Sequence, residues 1–300
     1  MRLLSRQFLT KKKIKGAGLV LLAWVFFTLV IALSRPASKS TSVPAVLLFQ
    51  NIVSLIILTP WMLYKGKKSF RLRKVNILLI RSLAGYLSFA FTFLAVQRTS
   101  LVNAMLLSNS APLFIPLVIW LWKRVTIPRR LWIGIAIGFI GIAIILQPDC
   151  NFINRGALFA IAAAICLSIS MISQRRLMKT EKVYSVLFYY LFISALLSTP
   201  FAIAYWKPID MSTLLLFLVI GLCFILGQIC FLNALGFEKP SFLGSFNYSA
   251  VVYGALFEWL IWHNYPGWIC IVGIAIVCTG GIIVILQGGD STKKGDRSSG

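Results

Sequence analysis

Gly16 to Ser34 read GAGLVLLAWVFFTLVIALS, a run without a single charged side chain. An α-helix rises about 1.5 Å per residue, so this run is close to the ~20 residues that cross about 30 Å of hydrocarbon. It is also longer than the apolar core of a typical cleaved signal peptide. We therefore interpret it as a retained, membrane-spanning first helix.

Similar apolar runs continue along the whole chain. They cover residues 16–34, 43–64, 76–96, 100–122, 131–147, 156–174, 183–206, 212–235, 241–262 and 267–287. The chain is 59% hydrophobic and 12% charged, whereas a soluble domain carries about 25% charged residues. The runs are continuous and do not alternate as the strands of a membrane β-barrel do. The sequence thus predicts an all-α integral membrane protein with ten transmembrane helices.

The basic residues predict how these helices are oriented. With ten spans, 24 of the 30 Lys and Arg residues fall in segments on the same side as both termini. Cytoplasmic loops carry such an excess, so we expect a multi-pass protein of the cell (inner) membrane with both termini cytoplasmic. Residues 1–15 would form a basic N-terminus and residues 288–300 a disordered tail. The net charge of +23 then reflects topology and contact with membrane lipids, and nucleic acid is not an expected partner.

The second half of the chain repeats the first at a lag of 140 residues. Thr59-Pro60 recurs as Thr199-Pro200, and Ile144 to Gln147 recur as Val284 to Gln287. Residues 16–147 and 156–287 would each hold five spans. Because five is odd, the second repeat would be inverted in the membrane relative to the first. Inverted repeats are common in secondary transporters, which bind substrate near the membrane midplane between the repeats.

Several motifs resemble those of the EamA family of the drug/metabolite transporter superfamily. They are Arg81 to Gly85, Phe91 to Ala95, Ala111-Pro112, Gly134 to Gln147, Phe231 to Ala234, Glu258-Trp259 and Gly273 to Gln287. The resemblance implies secondary transport by alternating access of an amino acid, an amino-acid derivative or a nucleoside-like compound. S-adenosylmethionine is one specific candidate. The chain departs from the family at Gln50-Asn51, where Arg is frequent, and at Leu121 to Lys123, where Gly-Glu is frequent.

Neutral polar residues near the expected midplane are the first candidates for substrate binding. Ser108 and Asn109 precede Pro112, which cannot donate to the Ser108 carbonyl and should kink the helix as a hinge. Asn247 and Tyr248 occupy a similar depth in the second repeat. Weaker candidates are Gln50, Trp24, Tyr86, Tyr190 and Gln228. The alternative is that these side chains only join neighbouring helices by hydrogen bonds or packing.

Only Arg81 and Glu258 are ionisable residues inside the predicted spans. Arg81 should lie near the cytoplasmic end of its helix, where its side chain can reach the interface, and Glu258 near the outer end. We expect structural or interfacial roles for both. With no acid or histidine at mid-membrane depth, uniport or exchange is favoured over a proton relay.

Other functions have less support from the sequence. The seven acidic residues are scattered, which argues against a membrane-embedded enzyme, and no C-x-x-C pair indicates a metal site or another cofactor. No nucleotide-binding G-x-x-x-x-G-K-[ST] motif is present. A lipid or lipid-carrier flippase of the same fold remains the main alternative to a small-molecule substrate. A homodimer also remains open.

Overall fold

In the computed structural model the described part of the chain has α-helix as its only regular secondary structure. It comprises residues 2–66, 72–123, 129–146, 155–237 and 249–263, with 267–268, 271–276, 279–280 and 283. The helices are α1 (Arg2–Ser40), α2 (Val43–Tyr64), α3 (Val75–Val96), α4 (Leu101–Ser108), α5 (Ala111–Lys123), α6 (Arg129–Leu146), α7 (Arg155–Leu177), α8 (Val183–Ala204), α9 (Met211–Phe237) and α10 (Ser249–Trp262). The all-α fold class is therefore confirmed.

Seven helical segments of the described residues are long and apolar enough to cross a membrane. They begin at Lys15, Val43, Val75, Leu101, Arg155, Val183 and Met211, and the Leu101 segment combines α4 and α5. Two shorter apolar helices, Trp132–Gly141 and Ser249–Trp262, accompany them. Large apolar side chains such as Leu121 and Ile203 are exposed on the bundle, as expected where lipid surrounds the protein. The multi-pass membrane architecture is thus clear, whereas the count of ten spans stays a prediction.

Hydrogen-bonding side chains mark where several helices begin. Ser42 accepts a hydrogen bond from the Ala45 N–H, and Ser100 accepts one from the Asn103 N–H, at the starts of α2 and α4. Both arrangements satisfy backbone donors that a first helical turn leaves free. Before α9, the hydroxyls of Ser212 and Thr213 donate to the Asp210 carboxylate and hold the pKa of this exposed acid below its ordinary value.

Helix α1 is longer than its apolar run predicts, at both ends. It begins at Arg2, and it continues through Pro36 to Ser40, beyond the end that the apolar run predicts at residue 34. Proline removes one backbone donor, and neighbouring hydroxyls can compensate within a membrane helix. Near Pro36, the Ser34 hydroxyl donates to the Ile31 carbonyl at 2.6 Å and Ser38 donates to the Ser34 carbonyl, so both bonds lie beside the Ala32 carbonyl that the proline leaves free and neither replaces its lost donor.

The contacts between helices have a matching pattern in the two halves of the chain. The most extensive contacts join α3 with α7, α1 with α9, and α2 with α8. A shift of 140 residues carries α1 onto α7, α2 onto α8 and α3 onto α9. When each helix is replaced by its counterpart in the other half, the α3–α7 contact becomes the α1–α9 contact. The same replacement leaves the α2–α8 contact unchanged. Residues from both halves consequently meet in the core of the bundle.

Glycine permits one especially close contact between these halves. The backbone at Gly280 approaches α6 so closely that an added Cβ would lie 2.7 Å from the Gly138 Cα and 2.8 Å from the Gly134 carbonyl oxygen. Small residues at four-residue spacing, such as Gly134 and Gly138, allow helices in a membrane to approach each other this closely. These glycines therefore serve helix packing.

Candidate functional site

A narrow cavity of about 90 Å³ lies among helices α1, α3, α4, α7, α8 and α9. Its polar lining side chains are Arg81, Ser88, Thr92, Ser108, Asn109, Ser170, Gln174, Tyr190 and Gln228. Its apolar lining residues include Trp24, Phe27, Ile31, Phe89, Leu167, Met171 and Phe231. An apolar lining with a few convergent polar groups is typical of small-molecule sites. The volume is below the roughly 300–1,000 Å³ that such sites usually have, so a metabolite would enter only if the helices move apart.

Helical periodicity brings these side chains together. The lining residues of α3 follow one another at a spacing of three or four residues from each helical turn to the next, so they share one side of the helix. They are Arg81, Gly85, Ser88, Phe89 and Thr92. The same spacing joins the lining residues of α7, which run from Leu167 to Gln174. Two serine bonds hold these helices together, from Ser88 to the Ala163 carbonyl at 3.1 Å and from Ser170 to the Arg81 carbonyl at 3.4 Å.

Arg81 is the central charged group of the cavity. Its side chain is only 6% exposed, and its guanidinium carbon lies 4.2 Å from the centre of the Tyr190 ring. The expectation that Arg81 reaches the membrane interface is wrong, because α8 and the adjacent α7 enclose it. A buried ionisable side chain inside a membrane-spanning helix is costly, and it marks a functional site by default.

Gly85 makes room for this arrangement one helical turn beyond Arg81. A Cβ at Gly85 would collide with Arg81 Nη1, and it would lie 2.9 Å from Tyr190 Cε2 and 3.2 Å from Ser170 Oγ. Any larger residue would therefore have to displace the guanidinium or the ring. The glycine thus keeps the Arg81–Tyr190 contact in place.

The helix interruption expected near Pro112 is present. Helix α4 ends at Ser108 and α5 begins at Ala111, so Asn109 and Ser110 form the connection. Asn109 donates its side-chain amide to the Met105 carbonyl at 2.8 Å, and the Ser168 hydroxyl of α7 lies 3.0 Å from the Ala111 carbonyl. The interruption places Asn109 at the cavity, while motion at Pro112 stays a prediction.

Thr92 links this interruption to α3. Its hydroxyl lies 2.8 Å from the Ser88 carbonyl oxygen and 3.3 Å from the Ser108 hydroxyl. All three side chains are buried, and all three line the cavity. A continuous polar strip therefore connects α3 with the broken helix.

Aromatic rings form much of the apolar part of the lining. Trp24 contacts Phe27 edge-on with ring centres 5.6 Å apart, and Phe27 contacts Phe89 and Phe231 at 6.5 and 6.3 Å. Phe224 packs edge-on behind Phe89 at 5.1 Å. Such pairs pack stably and offer a rigid apolar surface to a ligand.

Five of the residues predicted for substrate binding thus line one cavity: Trp24, Ser108, Asn109, Tyr190 and Gln228. Gln50 and Tyr86 are buried outside this lining. The backbone carbonyl of Gln50 accepts from the Ser54 hydroxyl of the same helix at 2.7 Å, and that hydroxyl also lies 3.0 Å from the Gly221 carbonyl of α9. Asn247 and Tyr248 fall outside the described residues. Binding by any of these residues remains a prediction.

Sequence reasoning did not select several residues that line the cavity, above all Arg81, Thr92 and Gln174. The repeating three- and four-residue spacing of Arg81, Gly85, Ser88 and Thr92 would have indicated a polar face on α3. Glu258 instead has a structural partner. It is 3% exposed, and its Oε2 accepts a hydrogen bond from the Val102 N–H in the first turn of α4 at 2.9 Å.

A second cavity of about 380 Å³ lies at the ends of α1, α3 and α8 and the start of α2. Ser38, Gln97 and Lys207 are among its lining residues. We place the candidate site at the smaller cavity, because that cavity contains the buried guanidinium and the interrupted helix.

Comparison with known proteins agrees with this architecture. A pseudopaline exporter, CntI, of Pseudomonas aeruginosa is 24% identical over 276 residues, which cover 90% of this chain and 93% of the exporter. An S-adenosylmethionine uptake transporter of Rickettsia bellii is 23% identical over 237 residues, covering 79% of this chain and 81% of that protein. A solved crystal structure with 18% sequence identity superposes with a TM-score of 0.63 over 93% of this chain and 97% of the chain in that structure. This similarity supports the fold.

The model of the EamA-like transporter family matches the chain twice, at residues 14–147 and 154–286. These two ranges contain every residue that lines the cavity. The family match, the transporter relatives and the multi-pass helical bundle lead to one assignment. The chain belongs to the EamA-like transporter family, and it is a membrane protein of the small-molecule transporter type.

Proposed function

We propose that the protein carries a small polar metabolite across the cytoplasmic membrane as a secondary transporter with alternating access. One observation carries this proposal, which is that residues from both halves of the chain line a single cavity. Trp24, Arg81 and Asn109 come from the first half, and Tyr190 and Gln228 come from the second. Rocking of two halves around such a cavity would expose it to each side of the membrane in turn.

The proposed topology has ten spans in two inverted five-helix repeats, residues 16–147 and 156–287, with both termini cytoplasmic. The two family matches and the exchange of the α3–α7 and α1–α9 contacts support the repeat. The basic asymmetry supports the orientation. A reporter active only in the periplasm, fused after Gly288, should give no signal, and a signal there would contradict the topology.

The proposed substrate is an amino acid, an amino-acid derivative or a nucleoside-like compound, with S-adenosylmethionine as one candidate. The names of the relatives support a small metabolite, although one is an exporter and the other an uptake transporter. Trp24, Ser108, Asn109, Tyr190 and Gln228 would contact it. Asn247, Tyr248, Gln50 and Tyr86 stay as further candidates.

The proposed conformational change uses the break in the fourth predicted span. Helices α4 and α5 meet at Asn109 and Ser110, just before Pro112. Breaks of this kind in transporter helices lie at binding sites, where backbone groups reach the substrate. Bending at Pro112 would alter access to the cavity without separating the buried α4 from α10.

Uptake into proteoliposomes tests the proposal. S-adenosylmethionine and a panel of radiolabelled amino acids and nucleosides should include a compound that enters faster than in protein-free vesicles. Gln228→Ala should slow that uptake, whereas Asn233→Ala, an exposed position on the same helix outside the cavity lining, should not. Fluorescent-lipid scrambling without uptake of any solute would overturn the proposal in favour of a flippase.

A further inference from the structure

Two buried hydrogen-bond donors face the same cavity without a protein acceptor. They are the Nε of Arg81 and the indole Nε1 of Trp24, and their side chains are 6% and 8% exposed. Buried donors in proteins normally have partners, because an unsatisfied donor loses its hydration without compensation. Two of them around one cavity indicate that a ligand supplies the acceptors.

The charge of Arg81 also lacks a carboxylate partner among the described residues. Each of the three acids in that part of the chain is engaged elsewhere. Glu181 accepts the Arg73 N–H, Asp210 accepts the hydroxyls of Ser212 and Thr213, and Glu258 accepts the Val102 N–H. The described lining of the cavity contains no acidic side chain. It therefore presents one positive charge to whatever occupies it.

The neighbours of Arg81 hold the guanidinium without neutralising it. The Tyr190 ring lies under it, and Gly85 leaves the space that it fills. A tyrosine ring attracts a cation through its π face and adds no negative charge. A planar guanidinium fixed in this way is suited to two parallel hydrogen bonds with a carboxylate.

We propose that the cavity selects a solute with a carboxylate group and an apolar part. The carboxylate binds the Arg81 guanidinium and the Trp24 indole N–H, and the apolar part packs against the rings of Phe27, Phe89 and Phe231. This assignment deepens the proposed function, because it names the substrate class of the same cavity. It concerns binding, so it can fail or hold independently of transport.

Matched acid and amide probes test the charge requirement. In phosphatidylcholine nanodiscs, 3-phenylpropanoate should bind and raise the melting temperature, and 3-phenylpropanamide, which has the same shape without the charge, should bind at least about tenfold more weakly. Equal binding of the two, or no binding of the acid, would overturn the proposal. Nanodiscs with phosphatidylglycerol form a further arm. If that lipid abolishes acid binding, a lipid phosphate is the occupant and the assignment to a soluble carboxylate fails.

Variants connect the charge requirement to the two donors. Arg81→Gln should weaken 3-phenylpropanoate binding roughly thirtyfold or more and remove the preference for acid over amide. Trp24→Phe, which keeps a ring and removes the N–H, should weaken the binding of 3-phenylpropanoate and leave the binding of 3-phenylpropanamide unchanged. Arg175→Gln, at an exposed arginine outside the cavity lining, is the matched control and should leave both affinities unchanged.

The melting temperature of the ligand-free protein separates a binding role from a structural one. If Arg81 is an unpaired cation awaiting a ligand, Arg81→Met should melt at the wild-type temperature or above it. A marked fall would indicate a structural role and overturn the proposal. If acid binding depends on Arg81 and Trp24 but vesicles transport nothing, the proposed function fails and the binding assignment stands.

Discussion

The guanidinium carbon of Arg81 lies 4.2 Å from the centre of the Tyr190 ring, and both side chains are buried in the same cavity. The residues belong to α3 and α8, which come from different halves of the chain. A contact between the halves at the lining of a cavity responds to any movement of one half against the other. It therefore links the charge in the site to the arrangement of the helices.

Replacement of Tyr190 should show what the ring contributes to this contact. Tyr190→Phe keeps the π face and loses the hydroxyl, which hydrogen-bonds to Arg81 and Ser194, so its Kd for 3-phenylpropanoate should rise less than that of a variant without the ring. Tyr190→Leu removes the ring, and a cation–π contact is worth about 0.5–2 kcal/mol, so its Kd should rise roughly 2- to 30-fold. Titration in nanodiscs measures both values. Equal affinities for the Phe and Leu variants would show that the ring does not position Arg81.

Gly85→Ala should damage the site while the helix stays folded. The new Cβ would occupy the place of Arg81 Nη1 and press on Tyr190, so we expect the Kd for 3-phenylpropanoate to rise about tenfold or more. Gly18→Ala is the matched control, because a Cβ at Gly18 meets nothing within 4 Å. Alanine is favoured over glycine in helices by up to about 1 kcal/mol, so this control should not melt lower. Unchanged binding by Gly85→Ala would contradict the described position of the guanidinium.

The cavity shows which features of a site a sequence can predict. The break at Asn109 followed from a local rule, since Pro112 removes a backbone hydrogen bond within its own helix. The burial of Arg81 did not follow, because it depends on the helices α7 and α8, which cover its side of α3. Gln50 appeared equivalent to Gln228 from composition, yet its helix turns it away from the cavity. Sequence thus predicts helix type and interruption, whereas the inward face depends on packing between distant segments.

Glu258→Ala should lower stability without changing substrate affinity. The Glu258 carboxylate accepts the Val102 N–H in the first turn of α4, where a negative charge also interacts favourably with the helix dipole. Loss of a buried acceptor leaves this donor unpaired and costs about 1–3 kcal/mol, so the melting temperature should fall. Glu258→Gln retains an acceptor, so its melting temperature should fall less than that of Glu258→Ala. A changed Kd for 3-phenylpropanoate with an unchanged melting temperature would instead assign Glu258 to the site.

Gly280→Leu should disrupt the packing against α6. Its backbone approaches Gly134 and Gly138 so closely that any side chain forces the segments apart. Overpacking typically costs about 1–3 kcal/mol, which thermal unfolding in detergent would detect. Gly267→Leu is the control, since a Cβ there meets nothing within 4 Å. Similar melting temperatures for the two variants would show that the close contact does not support the fold.

Asn109 allows recognition to be distinguished from helix packing at the broken span. One N–H of its side-chain amide donates to the Met105 carbonyl at 2.8 Å, which leaves the second N–H and the oxygen available to a ligand. If Asn109 contacts substrate, Asn109→Ala should raise the KM for the best transported compound about five- to tenfold and change the melting temperature little. If it only secures the end of α4, the melting temperature should fall while KM stays at the wild-type value.

Asn109→Asp keeps an acceptor and adds a negative charge beside a cavity that presents Arg81. It should therefore weaken 3-phenylpropanoate binding more than Asn109→Ala does. If the Asp variant binds the acid more strongly than the Ala variant does, Asn109 lies away from the bound carboxylate.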